Sequence, residues 1–344
     1  MKKLFITICL AVIGASAGSL PVEAGRDLDA IKSRGSLRCG VYGPSLPGFG
    51  VPDSQGNWQG FNADICRAIA ITIFNDVSKV EFVPVSTQTR FPALANGEAD
   101  ILASNVTWTL TRDAGINHFN FPAVTFYDGQ AIMVPLSLNV TSAKDLDGVT
   151  ICVQPGTTTE LNLSDYFREH DMKFTPVVIE SVDELRRAYD EGRCEAWTND
   201  FTSIAGERTL LANPASHVVL PERLSKEPLG LTIRQGDDEL SNIVAWTVYA
   251  LVDAEESGIT QSNADKIAQS SENPAIKRLL GVEGNMGEAL KAASADYVLQ
   301  IVKTLGNYGE IYNRHLGPNT PLGLDRGLND IWKAGGLLYA PPAR

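Results

Sequence analysis

The chain has 344 residues, 44% of them hydrophobic and 20% charged, with a formal net charge of −12. That length exceeds what one hydrophobic core usually serves, so two domains are expected, and the apolar content excludes a disordered chain. The acidic balance makes nucleic acid a poor partner and reads first as a solubility device.

Lys2 and Lys3 precede an apolar run from Leu4 to Ile13, and small residues lead on to Val22-Glu23-Ala24. This is the pattern of a secretory signal, so residues 1–24 are expected to be cleaved away; the apolar run is too short to span a bilayer. Cys9 lies inside that run behind Thr7 and Ile8, where a lipid-attachment site would need small residues. Loss of Lys2, Lys3 and Glu23 moves the formal charge to −13. No later segment approaches 18 consecutive apolar residues. Export suits the remaining cysteines, Cys39, Cys66, Cys152 and Cys194, an even number suggesting two disulfides. Three connectivities are open. Cys39 with Cys66 and Cys152 with Cys194 is favoured, because each pair joins a predicted strand to its neighbouring unit. No CxxC or HxxxH spacing occurs, so neither a metal nor a cofactor is expected.

Leu37 to Val41 is a short β-type run, and Asn62 to Phe74 places Ile65, Ile69 and Ile73 on one helical face. Val80 to Val85 reads as a strand. Arg90 to Asn96 reads as a helix stopped by Gly97, ahead of a strand from Asp100 to Ser104. The second half repeats the scheme: strand Val149 to Val153, a helix from Thr158, strand Pro176 to Ile179, helix Val182 to Glu191 stopped by Gly192, and strand Glu195 to Thr198. The expected fold class is therefore α/β, in two lobes of similar build. Ligands of such sheets sit at the carboxyl ends of the strands, which places a site in the cleft between lobes. Crossings are expected near Ala131 to Pro135 and near Pro228 to Arg234. Residues 25–134 and 232–344 would then form one lobe, and 135–231 the other. Beyond Asn285, the residues Leu290, Val298, Ile301 and Leu305 are spaced for an amphipathic helix packing on the first lobe.

Two segments could hold an anion. Gly156-Thr157-Thr158-Thr159-Glu160 leaves a strand and opens a helix with a capping box from Thr157 to Glu160, and the positive helix end suits a carboxylate. Taken alone it is more often just a capped helix. Ser181 to Glu184 is a second capping box, read as structural. The segment Ser104-Asn105-Val106-Thr107-Trp108-Thr109-Leu110-Thr111-Arg112 is crowded with hydroxyls and an amide that could orient the Arg112 guanidinium toward a carboxylate. A solvated loop arginine is the competing reading.

Gly60-Phe61-Asn62-Ala63-Asp64, the region from Arg90 to Arg112, Cys152-Val153-Gln154-Pro155-Gly156-Thr157-Thr158-Thr159-Glu160-Leu161-Asn162-Leu163 and Lys226-Glu227-Pro228-Leu229-Gly230 together carry a resemblance. The chain resembles the periplasmic amino-acid-binding proteins of ABC transporters, the family 3 solute-binding proteins, and specifically the general L-amino acid-binding subgroup. The likeness covers nearly all of the chain beyond the signal. It implies a type II periplasmic binding fold with two crossover strands, a monomer that hands its ligand to transporter permease subunits, and no catalysis. It further implies that Arg112 and the Thr158 region hold the ligand's α-carboxylate, that Asn105 and Thr107 add polar contacts, and that Asp200 receives the α-ammonium. Arg90 matches the arginine that meets the side-chain carboxylate in acidic-amino-acid binders, which supports glutamate or aspartate among the ligands; the resemblance as a whole implies glutamate, glutamine, aspartate and asparagine, or a broader range. Ser104 stands where the subgroup usually has an arginine, which bears on ligand range.

An enzyme is the reading from a different class, since this fold also occurs in periplasmic dehydratases. A serine hydrolase is set aside because the only GxSxG, Gly14-Ala15-Ser16-Ala17-Gly18, lies in the signal.

Overall fold

The computed structural model describes residues 26–43, 46–115 and 118–344; the expected signal and Cys9 lie outside the described residues. The chain begins with α1 (Arg26–Arg34), β1 (Leu37–Tyr42) and a small hairpin of β2 (Val51–Pro52) and β3 (Trp58–Gln59). Then come α2 (Phe61–Phe74), β4 (Val80–Val85), α3 (Arg90–Ala95), β5 (Ile101–Thr107), α4 (Leu110–Asp113), β6 (Phe119–Asn120), β7 (Val124–Asp128) and β8 (Gln130–Pro135). A second βα series follows: β9 (Thr150–Val153), α5 (Thr158–Glu169), β10 (Thr175–Val178), α6 (Val182–Asp190), β11 (Ala196–Asp200), α7 (Phe201–Arg208) and β12 (His217–Val219). After β13 (Glu227–Arg234) the chain is helical, with α8 (Asp238–Glu256), α9 (Ala264–Ser270), α10 (Pro274–Leu279), α11 (Met286–Ala289), α12 (Tyr297–Leu305) and α13 (Tyr308–His315).

These strands form two main sheets. The first runs β4-β1-β5-β13-β6, with β7 also on β13; the second runs β10-β9-β11-β8-β12. In each, the strands of the βα series are parallel and a long returning strand is antiparallel to them: β13 on β5, and β8 on β11. This is the α/β architecture in two lobes that the alternation of elements predicts.

The crossings fall earlier than expected. β7 pairs in the first sheet and β8 in the second, so the chain changes sheet at Asp128–Gln130. It returns between β12 and β13, and every residue of β13 from Glu227 lies in the first sheet. The strand-like runs at 131–135 and 228–234 mark the strands that follow the crossings, because backbone pairing and not apolar content decides sheet membership. The two crossings touch. Gln130 N donates to Ser225 Oγ at 3.3 Å, and Leu224 N to Gln130 O at 2.9 Å. Gly129 permits the approach, since a Cβ there would lie 2.9 Å from the Ser225 carbonyl.

Two disulfides staple these units, Cys39 on β1 to Cys66 on α2, and Cys152 on β9 to Cys194 just before β11. In the chain-entropy account, closing loops of 27 and 42 residues contributes about 3 to 4 kcal/mol each.

α2 is buried on almost every side, as an all-round apolar helix must be. Gly60 opens it with φ 131°, and the amides of Phe61 and Asn62 donate to the carbonyls of Gly48 and Phe49 instead of to a side-chain cap. Its outer face is covered by α8, α12 and α13. The expected amphipathic segment is split: Leu290 follows α11, Lys291 takes φ 57°, and only Val298, Ile301 and Leu305 share the helix α12. Lys291 in the left-handed region ends the first helical piece, which spacing alone could not foresee.

Asp64 on α2 ties this cover down. It accepts from Arg67 at 2.9 Å, and from Arg314 and His315 on α13 at 2.7 Å each. Burial pushes its pKa up, but the hydrogen bonds and charges of His315 and Arg314 outweigh burial and hold it at about 2. A depressed carboxylate contributes stability above its unfolded pKa, near 3.8, that is lost as pH falls through about 2. Asp64→Asn should therefore lower the urea-unfolding free energy by about 2 kcal/mol at pH 7, a difference from wild type that shrinks between pH 4 and pH 2. A pH-independent difference would show that packing and not charge is responsible.

Candidate functional site

One narrow cavity lies where the strand ends of the two sheets face each other. It is lined by Tyr42, Thr87, Arg90, Ser104, Asn105 and Thr107 from the first sheet's side, and by Gln154, Thr157, Thr158, Thr159, Asn199 and Asp200 from the second, with Leu46, Val182 and Ser203. Tyr42, Thr107, Gln154 and Asp200 end or immediately follow parallel strands, which is where the βα geometry leaves side chains and helix starts exposed to a ligand.

On the first side the wall is rich in donors. Arg90 opens α3 and is only 4% exposed. Its Nη1 donates to the Ser104 carbonyl at 3.2 Å, its guanidinium lies 5.0 Å from the Phe91 ring centre, and its Nε has no partner. Burial first, then the charge of Arg112, lowers its pKa to about 9, which still leaves it cationic at neutral pH. Thr87 Oγ1, Ser104 Oγ and Asn105 Nδ2 are likewise buried without partners among the described residues. Asn105 sits in the left-handed region at φ 50°, and its Oδ1 accepts from Asn62 Nδ2 at 2.7 Å, which fixes Nδ2 as the unpaired end.

On the second side stands an acceptor. Asp200 is 6% exposed, and its carboxylate receives no hydrogen bond among the described residues. Burial, then the charges of Asp128 and Glu227, push its pKa well above the usual carboxylate range, against the pull of Arg90 and Arg112. Beside it the start of α5 presents three threonines. Thr157 Oγ1 accepts the Glu160 amide at 3.2 Å, while Glu160 bonds the Gly156 amide at 2.9 Å instead of completing the box on Thr157. Thr158 Oγ1 donates to Glu227 at 2.9 Å and lies 3.3 Å from Thr107 Oγ1 across the cleft.

Of the sequence-derived candidates, Arg90, Asn105, Thr107, Thr158 and Asp200 line the cavity together. Arg112 does not line it. The guanidinium donates to the Thr107 carbonyl at 2.8 Å and stands 5.2 Å from the Phe91 ring that Arg90 also faces, so the two arginines share one aromatic platform. Arg90 is buried although it opens a helix. The second boxed segment remains structural: Ser181 caps Glu184 N at 3.4 Å.

Residues not anticipated as part of the site include Tyr42, Thr87, Gln154, Asn199 and Glu227. Gln154 Nε2 donates to the Tyr42 hydroxyl at 2.6 Å and to Glu180 O at 2.7 Å, and its Oε1 accepts from Asn199 at 3.1 Å. The signal available for Tyr42, Gln154 and Asn199 was position, each standing at or beside the carboxyl end of a predicted strand. Among the described residues no group of three or more His, Cys, Asp or Glu is arranged to hold a metal ion.

The chain is 47% identical over 341 residues, 98% of its own length and 97% of the relative's, to a general L-amino acid-binding periplasmic protein of Rhizobium johnstonii. It is 46% identical, over the whole of both chains, to a glutamate/glutamine/aspartate/asparagine-binding protein of Rhodobacter capsulatus. A solved periplasmic binding protein of an ABC transporter from Brucella ovis, with glutathione bound, superposes with a TM-score of 0.89 at 48% identity, covering 92% of this chain and 99% of that one. The model of the bacterial extracellular solute-binding proteins, family 3, matches residues 37–318, and the chain belongs to that family.

Proposed function

We propose that this protein binds free L-amino acids in the cleft between its lobes and delivers them to the permease subunits of an ABC transporter. One observation carries the reading: a buried cation and donors without partners among the described residues on one wall face a buried carboxyl group equally without a partner on the other, the complement of a ligand with an ammonium at one end and oxygen acceptors at the other. Asp200 is assigned to the α-ammonium. Arg112, Thr107, Asn105 and Thr158 are assigned to the α-carboxylate end, with Arg112 turning from the Thr107 carbonyl toward it, and Arg90 to a side-chain carboxylate or amide. Glutamate, glutamine, aspartate and asparagine are the expected ligands. The glutathione in the Brucella ovis relative supports a wider range, because its γ-glutamyl end carries the same α-ammonium and α-carboxylate. The protein acts as a periplasmic monomer once residues 1–24 are removed, and neither a cofactor nor a catalytic step belongs to this reading.

The energetics suffice. Charge-assisted hydrogen bonds contribute about 1.5 to 3 kcal/mol each, and micromolar binding requires about −8 kcal/mol after ordering costs.

Calorimetric titration of the refolded, ligand-free mature protein with glutamate, glutamine, aspartate, asparagine, histidine and leucine should give one-to-one binding of the acidic and amide pairs. Binding of none would overturn the proposal. Asp200→Ala and Arg112→Ala should each abolish binding without unfolding the protein, the loss at Asp200 being about 2 to 5 kcal/mol because an ammonium is left desolvated. Normal affinity in either variant removes that residue from the site. Arg90→Gln should weaken glutamate more than glutamine; equal losses would argue that Arg90 does not read the side chain.

A further inference from the structure

Asp200 occupies the N-cap position of α7, with φ −53° and ψ 141°. An aspartate there ordinarily turns its carboxylate onto the second or third amide of its own helix, yet Asp200 makes no such bond. Another residue serves that amide. Asp128 Oδ2 accepts both the Thr202 amide, at 3.2 Å, and the Thr202 hydroxyl. Asp128 ends β7 at the first crossing, where its Oδ1 accepts the Gly129 amide at 2.8 Å. The Gly129 carbonyl in turn accepts the Phe201 amide at 2.9 Å. The first turn of α7 is thus stitched to the crossing.

We infer that Asp128 is a positioning residue for the amino-acid site: by capping α7 from the crossing, it leaves the Asp200 carboxylate free to face the cleft. The inference rests on the reading that Asp200 receives the ligand's ammonium. Without Asp128, the orphan amides of α7 are within reach of Asp200's own side chain, and a carboxylate bonded there is withdrawn from a ligand.

Electrostatics give this role a signature that a mere cap lacks. Asp128 repels Asp200, as does Glu227, while Arg90 and Arg112 attract it. Asp128 itself is raised to about 6 by burial, against its hydrogen bonds from Thr202 and Gly129 and the charge of Arg223. Arg223 and, on α13, Tyr312 also feel Asp128's charge. Removing the Asp128 charge therefore lowers the pKa of Asp200, and an ammonium needs Asp200 ionised. Loss of binding on acidification should move to lower pH.

The experiment is calorimetric titration of the mature protein, from pH 8 down to pH 4.5, with whichever of the six amino acids named above binds tightest. Asp128→Ala should lose about tenfold or more in affinity at pH 7, the scale of a lost helix cap. Asp128→Asn keeps an acceptor for Thr202, so it should stay within about threefold at pH 7, with its acid loss of binding displaced to lower pH. In an Asp200→Asn background, adding Asp128→Ala should change affinity less than about twofold, since the two effects share one route. Wild-type affinity in Asp128→Ala, or the same loss with and without Asp200, overturns the inference. Should Asp128→Ala not fold, an undisplaced pH profile in Asp128→Asn overturns it equally. If Asp200→Ala binds normally, the amino-acid site itself is wrong and the inference falls with it; if Asp200→Ala abolishes binding and Asp128→Ala changes nothing, only the inference falls.

Discussion

Arg90 brings a guanidinium and Asp200 a carboxyl group into the same cavity, and neither has a partner of opposite sign within hydrogen-bond reach among the described residues. Burying an unpaired ion is among the costliest things a fold can do, and proteins avoid it unless the charge is met by something else. Here the two cannot simply collapse on each other. Arg90 starts a helix of the first lobe and is held by the Ser104 carbonyl and the Phe91 ring, while Asp200 ends a strand of the second. On the proposed reading, a ligand carrying both an ammonium and a carboxylate would meet each and so join the lobes.

The rest of the cleft is consistent with that division of labour. Contacts across it, Gln154 to the Tyr42 hydroxyl, Ser86 to Glu180 at 2.8 Å, and Thr107 against Thr158, never pair two full charges. A neutral hydrogen bond contributes about 1 kcal/mol net and one to a carboxylate about 1.5 to 3 kcal/mol, so these contacts join the two sides only weakly. The discriminating energy is left to the ligand's charges, which grow stronger as closure removes water from between them. Two mixed sheets whose parallel strands turn their carboxyl ends toward each other are the economical way to bring so many helix starts and strand ends to one point.

Much of this was legible in the residues. The alternation of β-type and helical periods gave the two α/β lobes, and hydroxyl-rich turns after strands marked Thr107 and Thr158 before any coordinates. The crossings were displaced by several residues because an apolar run such as 131–135 looks the same whether it bridges sheets or extends one; only pairing decides. Arg90 was ambiguous because helix periodicity says nothing about which tertiary neighbours close over a first turn. The unpaired donors at Thr87, Ser104 and Asn105 were invisible for a related reason: a missing hydrogen bond is a property of the packed state. Lys291 broke the expected C-terminal helix by taking a backbone conformation that lysine rarely adopts.

The helical C-terminal segment bears on the site through the same strand that leads to Asp128. Asn329 bonds both backbone groups of Tyr127, accepting its amide at 2.6 Å and donating to its carbonyl at 3.0 Å, and the Tyr308 hydroxyl donates to the Thr125 carbonyl at 2.8 Å. Arg326 holds Glu255 by two bonds, 2.9 and 3.1 Å, and lies against the rings of Tyr308 and Tyr312. A strand clamped at Thr125 and Tyr127 has no freedom to bend there. Beyond those contacts the chain reaches Gly129 and the residues between β12 and β13 that touch it. The two acidic groups that act on Asp200, Asp128 and Glu227, therefore stand at the two crossings, one at the end of β7 and the other at the start of β13.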